Sequence, residues 1–351
     1  MRRCINLVWT RLPALLQYDQ CVLSEESRPL IDQREFVDRR CLVTGGAGFI
    51  GSNLTRRLLD MGAHVTVVDN FSTGRRDNLP SSSRLDVVEA DVHRSDALGS
   101  LVERTEYVFH LAAQVGNIKS IDAPVDDATT NVVGTVRVLE ACRGRPIRRF
   151  VYSSSSAIFG EADRLPVDED HPTRPVSFYA LSKLTGERYA RLAAALLSVP
   201  TVCLRYFNVY GVPAEPNEYS GVISIFLQRL TDRLPLRIYG DGQQLRDFVY
   251  VDDIVQANLC AAIAGQSGSV YNIGTGSGTT VRELANVLME LTDLRATIEE
   301  LDFRPGEVRR SVADIARAQR ELGYSPAFDI RAGLTRFLAA SGSLSAGPRA
   351  Q

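Results

Sequence analysis

The chain has 351 residues, of which 44% are hydrophobic and 23% charged, and its formal net charge is −2. This length can bury a sizeable core and suggests two lobes, or one large domain with an appendage. The nearly neutral charge gives no electrostatic footprint for nucleic acid or an acidic membrane surface. Six cysteines without paired spacing and four histidines without metal-ligand spacing predict reduced thiols, a cytoplasmic protein and no metal site.

The two ends of the chain carry little information. In residues 1–38 the apolar side chains are interrupted by Arg11, Pro13 and Gln17, which is unlike a signal peptide and too broken to span a membrane. An N-terminal arm packed on the body and a poorly ordered tail both stay open. We expect the small, polar segment 341–351 to fray.

A glycine-rich turn, Thr44–Gly51 (TGGAGFIG), follows an apolar strand predicted over 41–44 and opens a helix predicted over 48–61. Two glycines allow a tight turn and close approach to a phosphate, and the third lets helix pack on strand. The N–H groups at the start of the helix then face the pyrophosphate of a dinucleotide. The predicted cofactor contacts of this turn are Gly45, Gly48, Phe49, Ile50 and Gly51.

The next predicted strand, 64–69, ends in Asp69, eighteen residues after Gly51. An acid in this place accepts hydrogen bonds from the adenosine ribose and repels a 2′-phosphate, so we predict NAD in preference to NADP. The basic pair Arg75-Arg76 could accommodate a phosphate, although the solvated start of a short helix is the favoured interpretation.

Strands and helices alternate through the first 200 residues and into the next strand. Further strands are predicted over 85–90, 106–112, 149–152 and 201–207, and helices over 94–103, 126–143 and 177–197. Such alternation predicts an α/β fold with a doubly wound parallel sheet. We assign 39–200 to a dinucleotide-binding domain, and 201–340 mainly to a smaller α/β substrate lobe with some strands returning to the sheet.

Other cofactor contacts are expected after the ends of these strands. Asp91 and Val92 lie where a loop passes the adenine ring, and the small residues after His110 let the backbone approach the cofactor. His110 itself is expected to be a packed histidine and not a catalytic one. The remaining predicted cofactor residues are Asn70, Leu111, Ala112 and Ala113.

Hydroxyl, phenol and amine groups follow the fifth strand. Four serines, 153–156, could form a simple loop, but at the carboxyl edge of a parallel sheet their hydroxyls face the ligand crevice. Tyr179 and Lys183 are four residues apart and share one helix face. Such a pair is often a surface pair, yet behind a dinucleotide turn and a serine loop the catalytic interpretation is favoured.

Motifs that follow the order of one family run through residues 40–340. They are TGGAGFIG, the acid Asp69, HLAAQ, the serine run, YALSK with Gly186-Glu187, RYFN, RDFVYVDD, YNIGTG, and RPGE followed by SVAD. The chain resembles the extended short-chain dehydrogenases/reductases, and more narrowly the nucleotide-sugar 4-epimerases of the UDP-galactose 4-epimerase group. The resemblance implies a UDP-sugar substrate and a homodimer formed through the helices at 126–143 and 177–197.

The resemblance also implies roles for single residues. Tyr179 matches the catalytic base, Lys183 the lysine that holds the nicotinamide ribose and lowers the tyrosine pKa, and Ser155 the hydroxyl that shares the substrate's proton. Substrate contacts implied in the same way are Ser155, Ser156, Asn208, Arg246, Arg304 and Ser311. The two arginines match a clamp on the diphosphate; without the motifs, we would interpret them as surface ion pairs.

Two positions separate this chain from similar families. Related 4,6-dehydratases carry an Asp-Glu pair directly after the catalytic hydroxyl residue, and related decarboxylases carry a Glu in the second place. Here those positions are Ser156 and Ala157, which cannot move a proton at C5 or C6. We therefore expect NAD-dependent C4 epimerisation of a UDP-hexose through a transient 4-keto sugar, with N-acetylated and uronate forms open. The alternatives are a related oxidoreductase, such as a 4-ketoreductase or a dehydratase, and a non-catalytic NAD-binding regulator.

Overall fold

The computed structural model describes residues 32–94, 96–213, 221–303 and 308–341. Most of the N-terminal arm and nearly all of the C-terminal tail considered above lie outside these ranges. The strands are β1 (Arg40–Thr44), β2 (His64–Asp69), β3 (Leu85–Glu89), β4 (Tyr107–His110), β5 (Arg149–Ser155), β6 (Thr201–Tyr206), β7 (Asn208–Tyr210), β8 (Leu236–Tyr239), β9 (Leu245–Arg246), β10 (Phe248–Tyr250), β11 (Ser269–Ile273), β12 (Thr279–Thr280), β13 (Ile298–Leu301) and β14 (Arg310–Ser311).

Eleven α-helices are present in these ranges. They are α1 (Phe49–Asp60), α2 (Leu98–Val102), α3 (Asn117–Asp122), α4 (Pro124–Ala128), α5 (Thr135–Cys142), α6 (Phe178–Leu196), α7 (Val222–Thr231), α8 (Val251–Ala264), α9 (Val281–Thr292), α10 (Ala316–Leu322) and α11 (Ile330–Ala340). None of them combines the length and apolar character that a membrane crossing requires.

Seven parallel strands form the main sheet, in the order β11-β6-β5-β4-β1-β2-β3. Separate apolar clusters cover its two faces, so the strands are buried on both sides, as a doubly wound sheet requires. The strand order reverses between β1 and β4. At such a reversal the connections leave in opposite directions and open a crevice at the carboxyl ends of the strands.

A smaller lobe is built from the second half of the chain. It contains three small sheets (β7 with β10, β8 with β13, and β9 between β12 and β14) and its own apolar cluster with α7, α9 and α11. The chain also returns to the main sheet twice, because α8 packs on α1, β5 and β6, and α10 packs on α8 and β11. The two lobes are therefore joined by several passages of the chain.

The predicted helix over 126–143 differs from the structure. The chain becomes helical at Pro124, whose missing N–H costs nothing in a first turn, and a π-helical segment over 129–134 separates α4 from α5. A separate helix, α3, precedes them and was not predicted. The segment predicted as helical over 94–103 contains only the short α2.

A buried ion pair joins α6 to the main sheet. The carboxylate of Glu187 accepts hydrogen bonds from the guanidinium of Arg205 on β6 at 2.7 and 3.0 Å, and from the Ser154 hydroxyl on β5 at 2.7 Å. Arg205 also donates to the backbone oxygen of Glu169 at 2.8 Å. Glu187 is 1% exposed and Arg205 4%, so each charge relies on these partners in place of water.

We expect Glu187→Leu to lower the free energy of unfolding by about 3–5 kcal/mol, because it leaves the Arg205 guanidinium buried without its counter-charge. The double variant Glu187→Leu/Arg205→Met should recover most of this loss, since apolar side chains of similar volume can replace a buried pair. Denaturant unfolding measures both. As a control, Arg164→Ala breaks the exposed pair with Asp168 and should cost less than about 1 kcal/mol. Equal losses in the single and double variants would show that the pair does not act as a unit.

Candidate active site

A single large cavity of about 1470 Å³ lies at the carboxyl ends of the main-sheet strands and continues to the small lobe. One half of its wall comes from the glycine turn and the loops after β2, β3 and β4. The other half comes from β7, α7, β8 and β9. The lining includes all fourteen residues predicted to contact the cofactor: Gly45, Gly48, Phe49, Ile50, Gly51, Asp69, Asn70, Asp91, Val92, Leu111, Ala112, Ala113, Tyr179 and Lys183.

The glycine turn requires glycine at two positions for steric reasons. Gly45 has φ +69°, and a Cβ there would lie 2.7 Å from the backbone nitrogen of Ala112. A Cβ at Gly51 would collide with the carbonyl oxygen of Gly45. Gly48 precedes α1 as its N-cap and has no side chain to cap it, so the first N–H groups of α1 stay available to an anion.

Asp69 is fixed by the backbone of the turn. Its Oδ2 accepts from the N–H of Ala47 at 2.9 Å, and its Oδ1 accepts from the N–H of Phe71 at 2.8 Å. Each carboxylate oxygen keeps a lone pair that can accept a ribose hydroxyl. The nearby Arg76 pairs with Glu89 at 2.6 Å and lies over the Phe71 ring, so its charge already has a partner.

Asp91 lies at the start of the loop after β3 and connects it to the loop after β2. Its carboxylate accepts from the Asn70 side chain at 3.0 Å and from the backbone N–H of His93 at 3.1 Å. These hydrogen bonds hold the loop after β3 next to the loop after β2. The carboxylate of Asp91 has a lowered pKa because these donors stabilise its charged form against partial burial.

Ser155, Tyr179 and Lys183 all line this cavity, and the Ser155 hydroxyl interacts with the Tyr179 phenol. Ser155 ends β5, and its hydroxyl accepts from the N–H of Ala157 at 3.2 Å. Tyr179 and Lys183 lie in the first turns of α6, which begins with Ser177 capping the N–H of Ala180 at 3.1 Å. The spacing argument therefore places all three groups correctly on the cavity wall.

The electrostatics of this centre follow from burial. Burial raises the pKa of Tyr179, and the Ser155 hydroxyl opposes that shift by interacting with the phenol. Burial lowers the pKa of Lys183 to about 8, while the nearby carboxylate of Asp127 on α4 opposes that shift. The ring of Tyr152 on β5 lies beneath the ammonium, with its centroid 4.7 Å from Nζ. The phenol and the amine are therefore held in an environment that disfavours their charged forms.

The predicted substrate residues divide into three groups. Ser155, Asn208 and Arg246 line the cavity, and the buried Nδ2 of Asn208 has no hydrogen-bond partner among the described residues. Ser156 and Ser311 do not contribute to the lining; the backbone of Ser311 on β14 pairs with that of Arg246 on β9. Arg304 lies outside the described residues.

Arg246 is held by backbone carbonyl oxygens of its own strand and of the residue before β14. Its guanidinium donates to the carbonyl oxygens of Leu245 at 3.1 Å and Arg309 at 3.2 Å. These uncharged acceptors orient the fork at the cavity wall. Sequence reasoning did not identify Arg229, Arg237 and Tyr239, which line the small-lobe side. The alternation of Arg237 and Tyr239 around the buried Ile238 was the available signal.

Comparison with known proteins places these features in context. Residues 41–274 match the family model described as the NAD dependent epimerase/dehydratase family. A putative UDP-glucose 4-epimerase of Methanocaldococcus jannaschii is 40% identical over 297 residues, covering 84% of this chain and 96% of the relative.

Two solved structures are similar over nearly their whole length. The UDP-glucose 4-epimerase of Thermotoga maritima, solved with UDP-glucose, is 37% identical with a TM-score of 0.83, covering 86% of this chain and 98% of that one. A UDP-N-acetylglucosamine 4-epimerase from Methanobrevibacter ruminantium, in complex with UDP-N-acetylmuramic acid, is 32% identical with a TM-score of 0.84, covering 88% and 99%. With the glycine turn, the acid after β2 and the Ser/Tyr/Lys centre in place, this chain belongs to the NAD dependent epimerase/dehydratase family.

Proposed function

We propose that the protein is an NAD-dependent 4-epimerase of UDP-sugars. The observation that carries the proposal is that Ser155, Tyr179 and Lys183 line one cavity together with the glycine turn and, on the small-lobe side, Arg246. A sugar attached to a diphosphate in the small lobe can present its 4-hydroxyl there. The relatives named above supply the substrate class.

The cofactor half fits NAD by its shape and its donors. The turn before α1 offers backbone N–H groups to a pyrophosphate, and the fixed Asp69 carboxylate offers acceptors to a ribose. NAD, when bound, supplies a hydride acceptor that returns the hydride in the same turnover. Lys183 would hold its nicotinamide ribose, and the small residues Ala112 and Ala113 allow close approach at the wall.

The protein's own groups handle the proton. Tyr179 takes the proton of the sugar 4-hydroxyl as its phenolate, directly or through Ser155, and gives it back when the sugar is reduced on the other face. Because burial disfavours the phenolate, Tyr179 needs a neighbouring positive charge, which the Lys183 ammonium supplies. Arg246 grips the diphosphate while the 4-keto sugar turns, so the sugar stays within reach.

Ser156 and Ala157 favour epimerisation over the chemistry of similar families. Neither side chain can act as an acid or a base on C5 or C6. Epimerisation requires no further proton carrier, whereas elimination and decarboxylation do. The complete Ser/Tyr/Lys set disfavours a purely regulatory NAD-binding protein, because binding alone does not use a base.

We also propose a homodimer formed through the helices beside the catalytic centre. Exposed apolar side chains lie on α3, α4, α6 and the π-helical segment between α4 and α5, and α6 packs against the other three. They include Ile118, Ile121, Val125, Val133, Leu181, Leu192 and Leu196. An apolar surface of this kind marks an interface, and a twofold dimer pairs it with itself. A cytoplasmic location is supported by the four described cysteines, which are buried and unpaired.

We expect Tyr179→Phe to reduce turnover of UDP-glucose to UDP-galactose by roughly 10²–10⁴-fold, the contribution of a general base, while NAD stays bound. An NMR time course over a panel of UDP-hexoses measures conversion and shows whether reduced cofactor and a 4-keto sugar accumulate, as they would if a ketoreductase oxidised the UDP-hexose in its reverse direction. The matched control is Tyr189→Phe, an exposed tyrosine on the same helix, which should keep normal turnover. Normal turnover in Tyr179→Phe would remove the proposed base.

The apo-protein should bind NAD more tightly than NADP. In Asp69→Asn the preference should fall by about tenfold or more, because hydrogen bonds to a charged group contribute about 1.5–3 kcal/mol. Calorimetric titration with each cofactor gives the ratio. Asp163→Asn changes an exposed carboxylate outside the cavity lining and serves as the control. Equal affinity of the wild type for both cofactors would contradict the role given to Asp69.

Substrate choice should depend on residue 311. Ser311 does not line the cavity, but its backbone pairs with that of Arg246, which does. Because serine is small, we expect it to leave room beside Arg246 for an N-acetyl group at the sugar 2-position. A tyrosine could reach past Arg246 to the cavity wall, so Ser311→Tyr should lower kcat/KM for UDP-GlcNAc relative to UDP-glucose by roughly 10- to 100-fold. Ser311→Ala should leave the ratio unchanged. If the ratio of kcat/KM for UDP-GlcNAc to that for UDP-glucose is the same in the wild type and in Ser311→Tyr, residue 311 does not control substrate choice. UDP-glucuronate in the same assay tests whether the uronate form is a substrate.

A further inference from the structure

Tyr152 lies behind the catalytic lysine and outside the cavity lining. It belongs to β5, three residues before Ser155, and is 1% exposed. We propose that Tyr152 is a positioning residue: its ring holds the Lys183 ammonium in the orientation that receives the nicotinamide ribose. The role of Lys183 in this inference rests on the proposed function, whereas the role of Tyr152 rests on its contacts in the structure.

Two contacts join Tyr152 to the same lysine. The Nζ atom of Lys183 lies 4.7 Å from the ring centroid, within the range of a cation–π contact. The phenol hydroxyl donates to the backbone oxygen of Lys183 at 3.2 Å. One aromatic side chain thus fixes both the tip of the lysine and the helix turn that carries it.

Gly186 creates the space for this phenol. A Cβ at Gly186 would collide with the hydroxyl oxygen of Tyr152 and would lie 2.9 Å from the ring carbon that carries it. Gly186 is three residues after Lys183 and therefore lies on the same side of α6. The glycine in the Tyr179–Glu187 motif consequently has a steric purpose, which is to let β5 present an aromatic ring to the lysine.

An aromatic face suits this lysine because it attracts a cation without occupying an N–H donor. Among the described residues no side chain or carbonyl accepts a hydrogen bond from the ammonium, and Lys183 lines the cavity, so its donors are not committed to another protein group. A carboxylate in place of the ring would bind those donors and turn them away from a ribose.

The charged and titratable groups around Lys183 come from five elements. Burial lowers the pKa of the ammonium to about 8, while the carboxylates of Asp127 on α4 and Glu187 on α6 favour its charged form. Cys203 on β6 is an uncharged thiol, because burial raises its pKa well above the usual value. On β4, burial lowers the pKa of His110 to about 3, so that neighbour is neutral near pH 7. Tyr152 itself stays uncharged, because burial raises its pKa far above the usual value. The ring therefore adds attraction for the cation without adding a titrating charge.

The experiment compares rings of the same shape but different electron density. Tyr152→Phe keeps the ring, Tyr152→trifluorophenylalanine keeps its shape and weakens the attraction, and Tyr152→Leu removes it. Calorimetric titration of each apo-protein with NAD gives Kd. We expect near wild-type affinity for the phenylalanine variant and about tenfold weaker binding for the fluorinated and leucine variants, the loss of a desolvated cation–π contact.

The pH dependence of kcat/KM gives a second measurement. Because the ring favours the charged lysine, the fluorinated and leucine variants should lose activity at lower pH on the alkaline side than Tyr152→Phe does. Phe150→Leu is the matched control: it removes a buried ring two residues away on the same strand face and should change neither NAD affinity nor the alkaline limb.

Equal NAD affinity and equal pH profiles in the phenylalanine and fluorinated variants would overturn the proposal. A loss in Tyr152→Phe as large as that in Tyr152→Leu would also overturn it, because the hydroxyl contact would then carry the effect. If Tyr152→Leu does not fold, the two ring-preserving variants decide the question. If the NAD affinities of the variants follow the expected order but the wild type converts no UDP-sugar, the proposed function is refuted while the role of Tyr152 is supported.

Discussion

The attachment of α6 to the main sheet is the constraint on which the catalytic centre depends. Tyr179 and Lys183 belong to α6, whereas Ser155 belongs to β5. The distances between these side chains therefore depend on how α6 packs on β5. The carboxylate of Glu187 fixes that position because it binds Ser154 on β5 and Arg205 on β6 at the same time. A buried charge has few acceptable partners, so a slip of α6 along the sheet would leave Glu187 and Arg205 unpaired.

The loop that joins β5 to α6 depends on the same network. Arg205 donates to the backbone oxygen of Glu169, whose side chain accepts from the N–H of Asn272 on β11 at 2.8 Å. Ser155 and Tyr179, the proposed catalytic serine and tyrosine, are thus near the two ends of a segment anchored at its middle to the edge strand of the sheet. Packing, ion pairing and hydrogen bonding therefore all fix the same relative position of Ser155, Tyr179 and Lys183.

The sequence predicted what depends on local spacing. The glycine turn, the acid at Asp69 and the Tyr179/Lys183 pair are each set by a few consecutive residues, and the structure places all of them on the cavity. The doubly wound parallel sheet was also predicted correctly, from the alternation of strands and helices. The split of the segment 126–143 was not foreseen, because a π-helical turn leaves the apolar spacing of neighbouring turns almost unchanged.

The sequence could not predict contacts between elements that are far apart along the chain. Nothing near Tyr152 indicates that its ring lies beneath Lys183, since that contact exists only when α6 packs on β5. Arg237 and Tyr239 reach the cavity because β8 borders it in the small lobe. Ser311 is a neighbour of Arg246 across a strand pair, and pairing register is not visible in a single chain.

The repeated passage of the chain between the two lobes has a mechanical consequence. After β6 the chain enters the small lobe, returns as α8 and β11, leaves again, returns as α10 and ends as α11 on the small lobe. A hinge motion that separates two lobes needs one or two flexible connections between them. Here the chain passes between the lobes five times, and all five connections would have to bend together. We therefore expect the lobes to behave as one rigid frame. The 4-keto sugar would then rotate between cavity walls that do not separate. Only smaller loops at the rim of the cavity would move as nucleotide sugars enter and leave.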